Sequence, residues 1–105
     1  MSTHRLKATK VWFERVNDGD KTAEIRKHDR DFQAGDTLEL VEIWESDGRH
    51  ENEDGELVWH TKGAETGREV RASITHVLPA SHFPDGLRDG YCLLSIWRTY
   101  GVKAR

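Results

Sequence analysis

Reactive side chains are densest between Gly19 and Asp36. The run Lys21-Thr22-Ala23-Glu24-Ile25-Arg26 alternates in polarity and reads as a β-strand. On a strand every second side chain shares a face. Thr22, Glu24 and Arg26 are therefore expected in a row, with Lys21 just ahead of them and Ala23 and Ile25 turned to the core. Such a row combines a hydroxyl, a carboxylate and a guanidinium. The planar donor fork of an arginine suits a phosphate or a base edge. A carboxylate can accept from the exocyclic amine of a base, or it can hold the arginine in place. With Asp29, Arg30 and Asp31 close behind, the same residues also suit a plain surface ladder of salt bridges. Composition does not separate the two readings.

Other chemistries find less support. His4, His28, His50, His60, His76 and His82 show neither H-x-x-x-H nor H-x-H spacing, and Cys92 stands alone. A structural zinc site usually takes four ligands, so no metal and no cofactor is expected. Ser73, Ser81 and Ser95 belong to no nucleophile-elbow motif. Thr22 beside Lys21 is a hydroxyl–amine pair that works only where the amine can act as a base. With no second cysteine there is no internal disulfide, and Cys92 reads as a buried core thiol.

The elements that must position these residues follow from patterning. His4 to Lys7 reads as a short strand and Thr9 as a helix N-cap whose hydroxyl accepts a free backbone N–H. Val11, Trp12, Phe13 and Val16 form an apolar stripe, so a helix is expected over 10–17, ended by Gly19 in the left-handed conformation. Thr37 to Trp44 is strand-like. Leu38 and Leu40 lie on one parity and Val41 and Ile43 on the other, which points to burial on both faces or to a bulge near Leu40. The turn signals Ser46-Asp47-Gly48 and Glu53-Asp54-Gly55 mark 47–65 as a hairpin insertion. A second long strand is expected over 68–78, with Val70, Ala72, Ile74 and Leu78 inward, His76 in register with them, and Pro79 as its stop. Pro84-Asp85-Gly86 reads as a turn. Tyr91 to Trp97 reads as a central strand, with a frayed tail from Thr99. Trp12, Phe13, Trp44 and Trp97 are expected in the core. Trp59 and Tyr91 are expected outside, where a ring beside basic residues can stack a base.

Helices do not alternate with strands, which argues against a doubly wound parallel sheet. The expectation is a single α+β domain over 1–105: a small mixed or antiparallel β-barrel of about five to six strands with one or two short helices. One core fits a chain of 105 residues. Its content is 35% hydrophobic and 33% charged, and the net charge of −3 is unevenly spread. Residues 1–30 carry +3, residues 31–69 carry −9 and residues 70–105 carry +3. Basic ends that met in space would offer phosphate a local face that net charge conceals. The acidic middle leaves a protein-interaction role as a further option. The sequence has no apolar run long enough for a membrane span and no h-region after Met1. A cytoplasmic monomer is the expectation.

The run Gly19-Asp20-Lys21-Thr22-Ala23-Glu24-Ile25-Arg26, after a helix holding Phe13, resembles the G-x-K-T-x-E-x-R signature of ASCH domains in the PUA-like superfamily. It is not a P-loop, since the first glycine of G-x-x-x-x-G-K-[ST] is missing. Asp29-Arg30-Asp31-Phe32-x-x-Gly35-Asp36-x-Leu38-x-Leu40 resembles a subgroup of small, uncharacterised ASCH-like proteins of bacteria and phages. His4-x-Leu6-Lys7, Thr66-Gly67-Arg68 and Gly86-Leu87-x-x-Gly90-Tyr91 fit the same subgroup. The likeness spans the chain except about 47–65. It implies a PUA-like β-barrel with a cleft beside the helix that follows the first strand. That cleft would bind RNA, a nucleotide or a modified nucleoside, lined by Lys21, Thr22, Glu24 and Arg26, with Asp29, Arg30 and Tyr91 nearby. One ASCH branch hydrolyses the acetyl amide of N4-acetylcytidine with a lysine base, a threonine nucleophile three residues later and a distant glutamate. Here the residue three after Lys21 is Glu24, so that nucleophile is missing unless Thr22 replaces it, with Glu69 as the distant acid. Lys21 and Glu24 remain a pair able to do acid–base work on water.

Overall fold

The computed structural model describes residues 1–101. Its elements in chain order are β1 (Thr3–Ala8), α1 (Lys10–Asn17), β2 (Ala23–Lys27), β3 (Thr37–Ile43), β4 (Gly48–Glu51), β5 (Leu57–His60), β6 (Glu65–Pro79), a 3₁₀ turn (Ala80–His82) and β7 (Tyr91–Tyr100). Five strands form one sheet in the order β1-β3-β6-β7-β2. This sheet curls into a half-barrel. β1 runs parallel to β3, and the other pairings are antiparallel. The sheet is thus mixed. The hairpin β4–β5, within the expected insertion at 47–65, stands as a separate two-stranded ribbon, so the curled sheet itself has five strands.

The core fills the inside of the curl. Leu6 and Ala8 come from β1, Leu38 and Leu40 from β3, Val70, Ala72 and Ile74 from β6, and Cys92, Leu94 and Ile96 from β7. Each set recurs every second residue, as one buried sheet face requires. Helix α1 closes the open side with Phe13 and Val16, both buried. At about 100° per residue these two lie roughly 60° apart around the helix, and Trp12 lies roughly 70° from their midpoint. These are the two buried positions of the helix. Trp12 therefore sits at the flank, 53% exposed, against the core position expected for it. Burying a ring such as Phe13 contributes about 1.5–3 kcal/mol. Arg68 lies over that ring at 4.9 Å and reaches Glu14 and Glu42 at 3.6 Å each, so it ties α1 to β3 and β6.

Several expectations change with the pairing. Leu40 and Val41 are both buried in unbroken register with β6, so burial on both faces explains the parity switch in β3; a bulge does follow, between Val41 and Ile43. A second shift, between Ile74 and His76 on β6, turns His76 outward and leaves Val77 to pack on the core. β7 is interior in the sheet and runs through Thr99 to Tyr100, where a frayed tail was expected. The remainder of that tail, 102–105, lies outside the described residues. Trp97 near the end of β7 is 68% exposed and Trp44 is half-buried, so neither is a core residue. Thr9 holds the N-cap position but makes no side-chain cap bond.

Two local devices set the entry to β2 and β3. Gly19 at φ 83° ends α1, and its N–H donates to the Val16 carbonyl. The chain then doubles back, and the Lys21 N–H donates to the Arg15 carbonyl at 3.0 Å. Beyond β2, the loop to β3 is pinned by Asp36. Its carboxylate accepts from the Ser2 N–H at 3.0 Å and the Gln33 N–H at 3.0 Å, and lies 2.8 Å from His4 Nε2. Phe32 packs on the His4 ring at 4.7 Å between centroids. The Ser2 N–H and the His4 ring hold the Asp36 carboxyl down to about 2.

Gly19→Ala meets no atom within 4 Å, so its cost is the backbone strain alone. A left-handed alanine should lower stability by about 1–2 kcal/mol, read as a fall in Tm of roughly 4–8 °C per kcal/mol. Asp36 contributes stability in full above the unfolded carboxyl value near 4 and loses it as pH falls toward about 2. Urea unfolding of wild type and Asp36→Asn should differ most near pH 7 and converge between pH ~4 and ~2. A difference that stays constant over that range would show that the carboxylate charge is not what Asp36 contributes.

Candidate functional site

The half-barrel does not close. β1 and β2 are the two edges of the sheet. Across the gap between them Arg26 Nη2 donates to the Lys7 carbonyl at 3.1 Å, and Arg30 Nη1 donates to the Arg5 carbonyl at 3.2 Å. Side-chain guanidinium groups thus take the place of a backbone ladder. Above this seam lies a cleft of about 610 Å³, a usual size for a small-ligand site. Its lining comes from β1 and the start of α1 on one side (Lys7, Ala8, Thr9, Trp12). Lys21, β2 and Leu93 of β7 line the other.

Glu24 is the centre of this cleft, and its position reverses the expected parity of β2. It stands opposite Leu94, and Arg26 opposite Cys92, both fully buried. Directly opposed side chains share a face, so Glu24 and Arg26 point inward. Its side chain is only 5% exposed, whereas Ile25 is 59% exposed. An apolar inward face was expected because isoleucine outranks glutamate in burial. The reversal is possible because each carboxylate oxygen meets a cation. Lys21 Nζ bonds to Oε1, and Arg26 Nε donates to Oε2 at 2.9 Å. A buried carboxylate flanked by two cations avoids the cost of an unpaired charge. Ile25 and Leu93, opposed on the other face, supply the apolar rim of the cleft.

The predicted site residues separate into groups. Lys21, Glu24 and Arg26 converge on one cleft, and they also form the ion pairs of the salt-bridge reading. Thr22 does not join them. It is exposed, does not line the cleft, and its carbonyl accepts from the Ile96 N–H. Asp29 and Arg30 line an adjoining cavity instead. Tyr91 stands opposite Lys27 at the far end of β2, half-buried and beside Arg88, and lines neither cavity. Glu69 belongs to a cluster on the outer side of β1, β3 and β6, where it pairs with Arg5 at 3.3 Å and Arg71 at 3.4 Å. It is not a partner for Lys21. Cys92 is buried, and both burial and the nearby Asp29 charge push its thiol up, so it stays a protonated core group.

Sequence reasoning missed Trp12. Its ring lines the cleft, with Lys21 Nζ 5.9 Å and the Arg15 guanidinium 5.8 Å from its centre. The signal was present in the helix geometry, since the pair Phe13 and Val16 leaves Trp12 off the buried stripe. Thr9, expected only as a cap, makes no side-chain cap bond and lines the same cleft. Among the described residues no three His, Cys, Asp or Glu side chains gather as metal ligands. No described helix is long and apolar enough to cross a membrane.

The chain is similar to an uncharacterised 12.9 kDa protein in the GpA 3′ region of Escherichia phage P2, with 40% identity over 91 residues. That alignment takes in 87% of this chain and 64% of the phage protein. The family match runs over residues 3–96, from β1 to Ile96 of β7. The chain therefore belongs to the DUF3850 family, a domain of unknown function, and the whole seam between β1 and β2 lies inside the family's span.

Proposed function

We propose that this chain is an RNA- or nucleotide-binding domain of the ASCH type on a PUA-like barrel, and that the cleft beside α1 receives one base. The observation that carries the reading is a buried carboxylate held between two cations next to an exposed indole. A carboxylate offers about four lone-pair sites. Lys21 and Arg26 occupy one on each oxygen of Glu24, which leaves acceptors for the amino or ring N–H edge of a base. Trp12 supplies a face on which that base can stack. Ala8, Ala23 and Leu93 enclose its apolar surface.

Trp12→Ala should weaken binding of short single-stranded RNA or its mononucleotides by about 1–3 kcal/mol, roughly 5- to 150-fold. Arg26→Ala should weaken it as well, because it removes a donor fork and frees Glu24 from one partner. Titration calorimetry checks both. Affinity equal to wild type in the two variants would sink the base-binding reading.

A second reading, a small hydrolase acting on acylated cytidine or RNA, draws on the contact between Lys21 and Glu24. Thr22 is turned away, so water would be the nucleophile, with the pair moving its protons. Turnover should then vanish in Lys21→Ala while the circular dichroism spectrum of the fold is kept. Turnover that survives this change would place the activity elsewhere.

A further inference from the structure

The cleft does not end at Arg26. A second cavity of about 360 Å³ continues along the seam and shares Lys7 and Arg26 with the first. The two differ sharply in chemistry. Ala8, Trp12, Ala23, Ile25 and Leu93 make the first largely apolar around one carboxylate. The second is lined by Arg5, Lys7, Arg26, Lys27 and Arg30, with Leu6 and a single acid, Asp29.

These cations are not equally committed. Arg5 is neutralised by Glu39, Glu65 and Glu69 on the outer side of the sheet. Arg30 has only a 3.8 Å contact with Asp29. Lys7 and Lys27 are exposed and form no ion pair among the described residues. Meanwhile the carbonyls of Lys7 and Arg5 already hold the forks of Arg26 and Arg30 in place. A guanidinium held through one donor, as Arg30 is, or two, as Arg26 is, keeps others of its five free, and it loses less freedom when an anion arrives. Edge-strand lysines also serve to repel other strands, but that role does not call for two oriented arginines beside an apolar cleft.

We propose that the second cavity is a phosphate subsite, contacted by Lys7, Arg26, Lys27 and Arg30, for the nucleotide whose base lies in the first. This rests on the base-binding reading above and adds the ligand class to it: a phosphorylated nucleotide or a strand phosphate in preference to a free nucleoside.

The test compares a nucleoside, its monophosphate and a short single-stranded RNA on the full chain and on Lys27→Gln/Arg30→Gln. The monophosphate should bind wild type at least about tenfold tighter than the nucleoside, and that ratio should fall toward one in the double variant. If the RNA binds tighter than the monophosphate, with a log–log salt slope of roughly −0.7 per added phosphate, the phosphate belongs to a strand. If the two bind alike, it belongs to a free nucleotide. Equal affinity for nucleoside and monophosphate, or a ratio that survives the double variant, would overturn the subsite. Pyrophosphate probes the subsite without a base. Amide shifts at residues 27–30 that disappear in the double variant would sustain it even if no nucleoside bound, which separates its fate from that of the base reading. No shift with pyrophosphate would overturn it.

Discussion

The edge strands β1 and β2 approach each other across the half-barrel, and no backbone ladder joins them. An unpaired strand edge exposes donors and acceptors that need partners. Here two β1 carbonyls find them in Arg26 and Arg30. Arg26 serves twice, because its Nε also holds Glu24. Closing the seam with side chains in place of a ladder keeps the edges apart. That gap is the cleft. Had β2 paired with β1 directly, there would be no space above Glu24.

The helix depends on the same gap. It packs where the curl leaves the core open, using Phe13 and Val16. Arg68, Glu14 and Glu42 fix its lie from beneath. Glu42 also accepts from the Thr66 hydroxyl at 2.7 Å, so the clamp extends into the start of β6. With the helix fixed through Phe13, Trp12 is placed beside the cleft by rigid geometry, without a contact of its own to the core. The turn at Gly19 then returns Lys21 to the same place, so one short helix and its cap position both the indole and the amine.

Charge is arranged by face. On the outer side Arg5 and Arg71 are met by Glu39, Glu65 and Glu69. Both arginines are about half-exposed, and pairs made at such exposure contribute little each. Their effect is to consume the acidic excess of the middle segment next to the basic first strand. Along the seam, Lys7 and Lys27 form no ion pair among the described residues. The rest of the acidic segment is carried off on the hairpin β4–β5, where Trp44 stacks on His60 at 3.9 Å and His60 meets His50 across the ribbon at 2.9 Å.

Local signals in the sequence sufficed for β1, for α1 to its last residue, for the hairpin, for the buried period of β6 as far as Ile74 and for β7 as an interior strand. Each rests on a repeat of 2 or 3.6 residues, or on a turn residue such as Gly19, and these act within a few neighbours. The choice of Lys21, Glu24 and Arg26 as a group was also legible, because their types and spacing are unusual on one strand. Which way they point was not. The parity of β2 depends on Leu94 and Cys92 some seventy residues away, and on whether a carboxylate can be paid for in cations there. Ile25 lost the inner face for that reason. Likewise Trp12, not Tyr91, came to line the cleft, since rings are placed by what seals the core, and the seal is made by a helix against a distant sheet. The order of charges along the chain was plain from the start. Only the curl of the sheet brought Lys7 beside Arg26 and Arg30, twenty residues on, and made a row of separate cations into one wall.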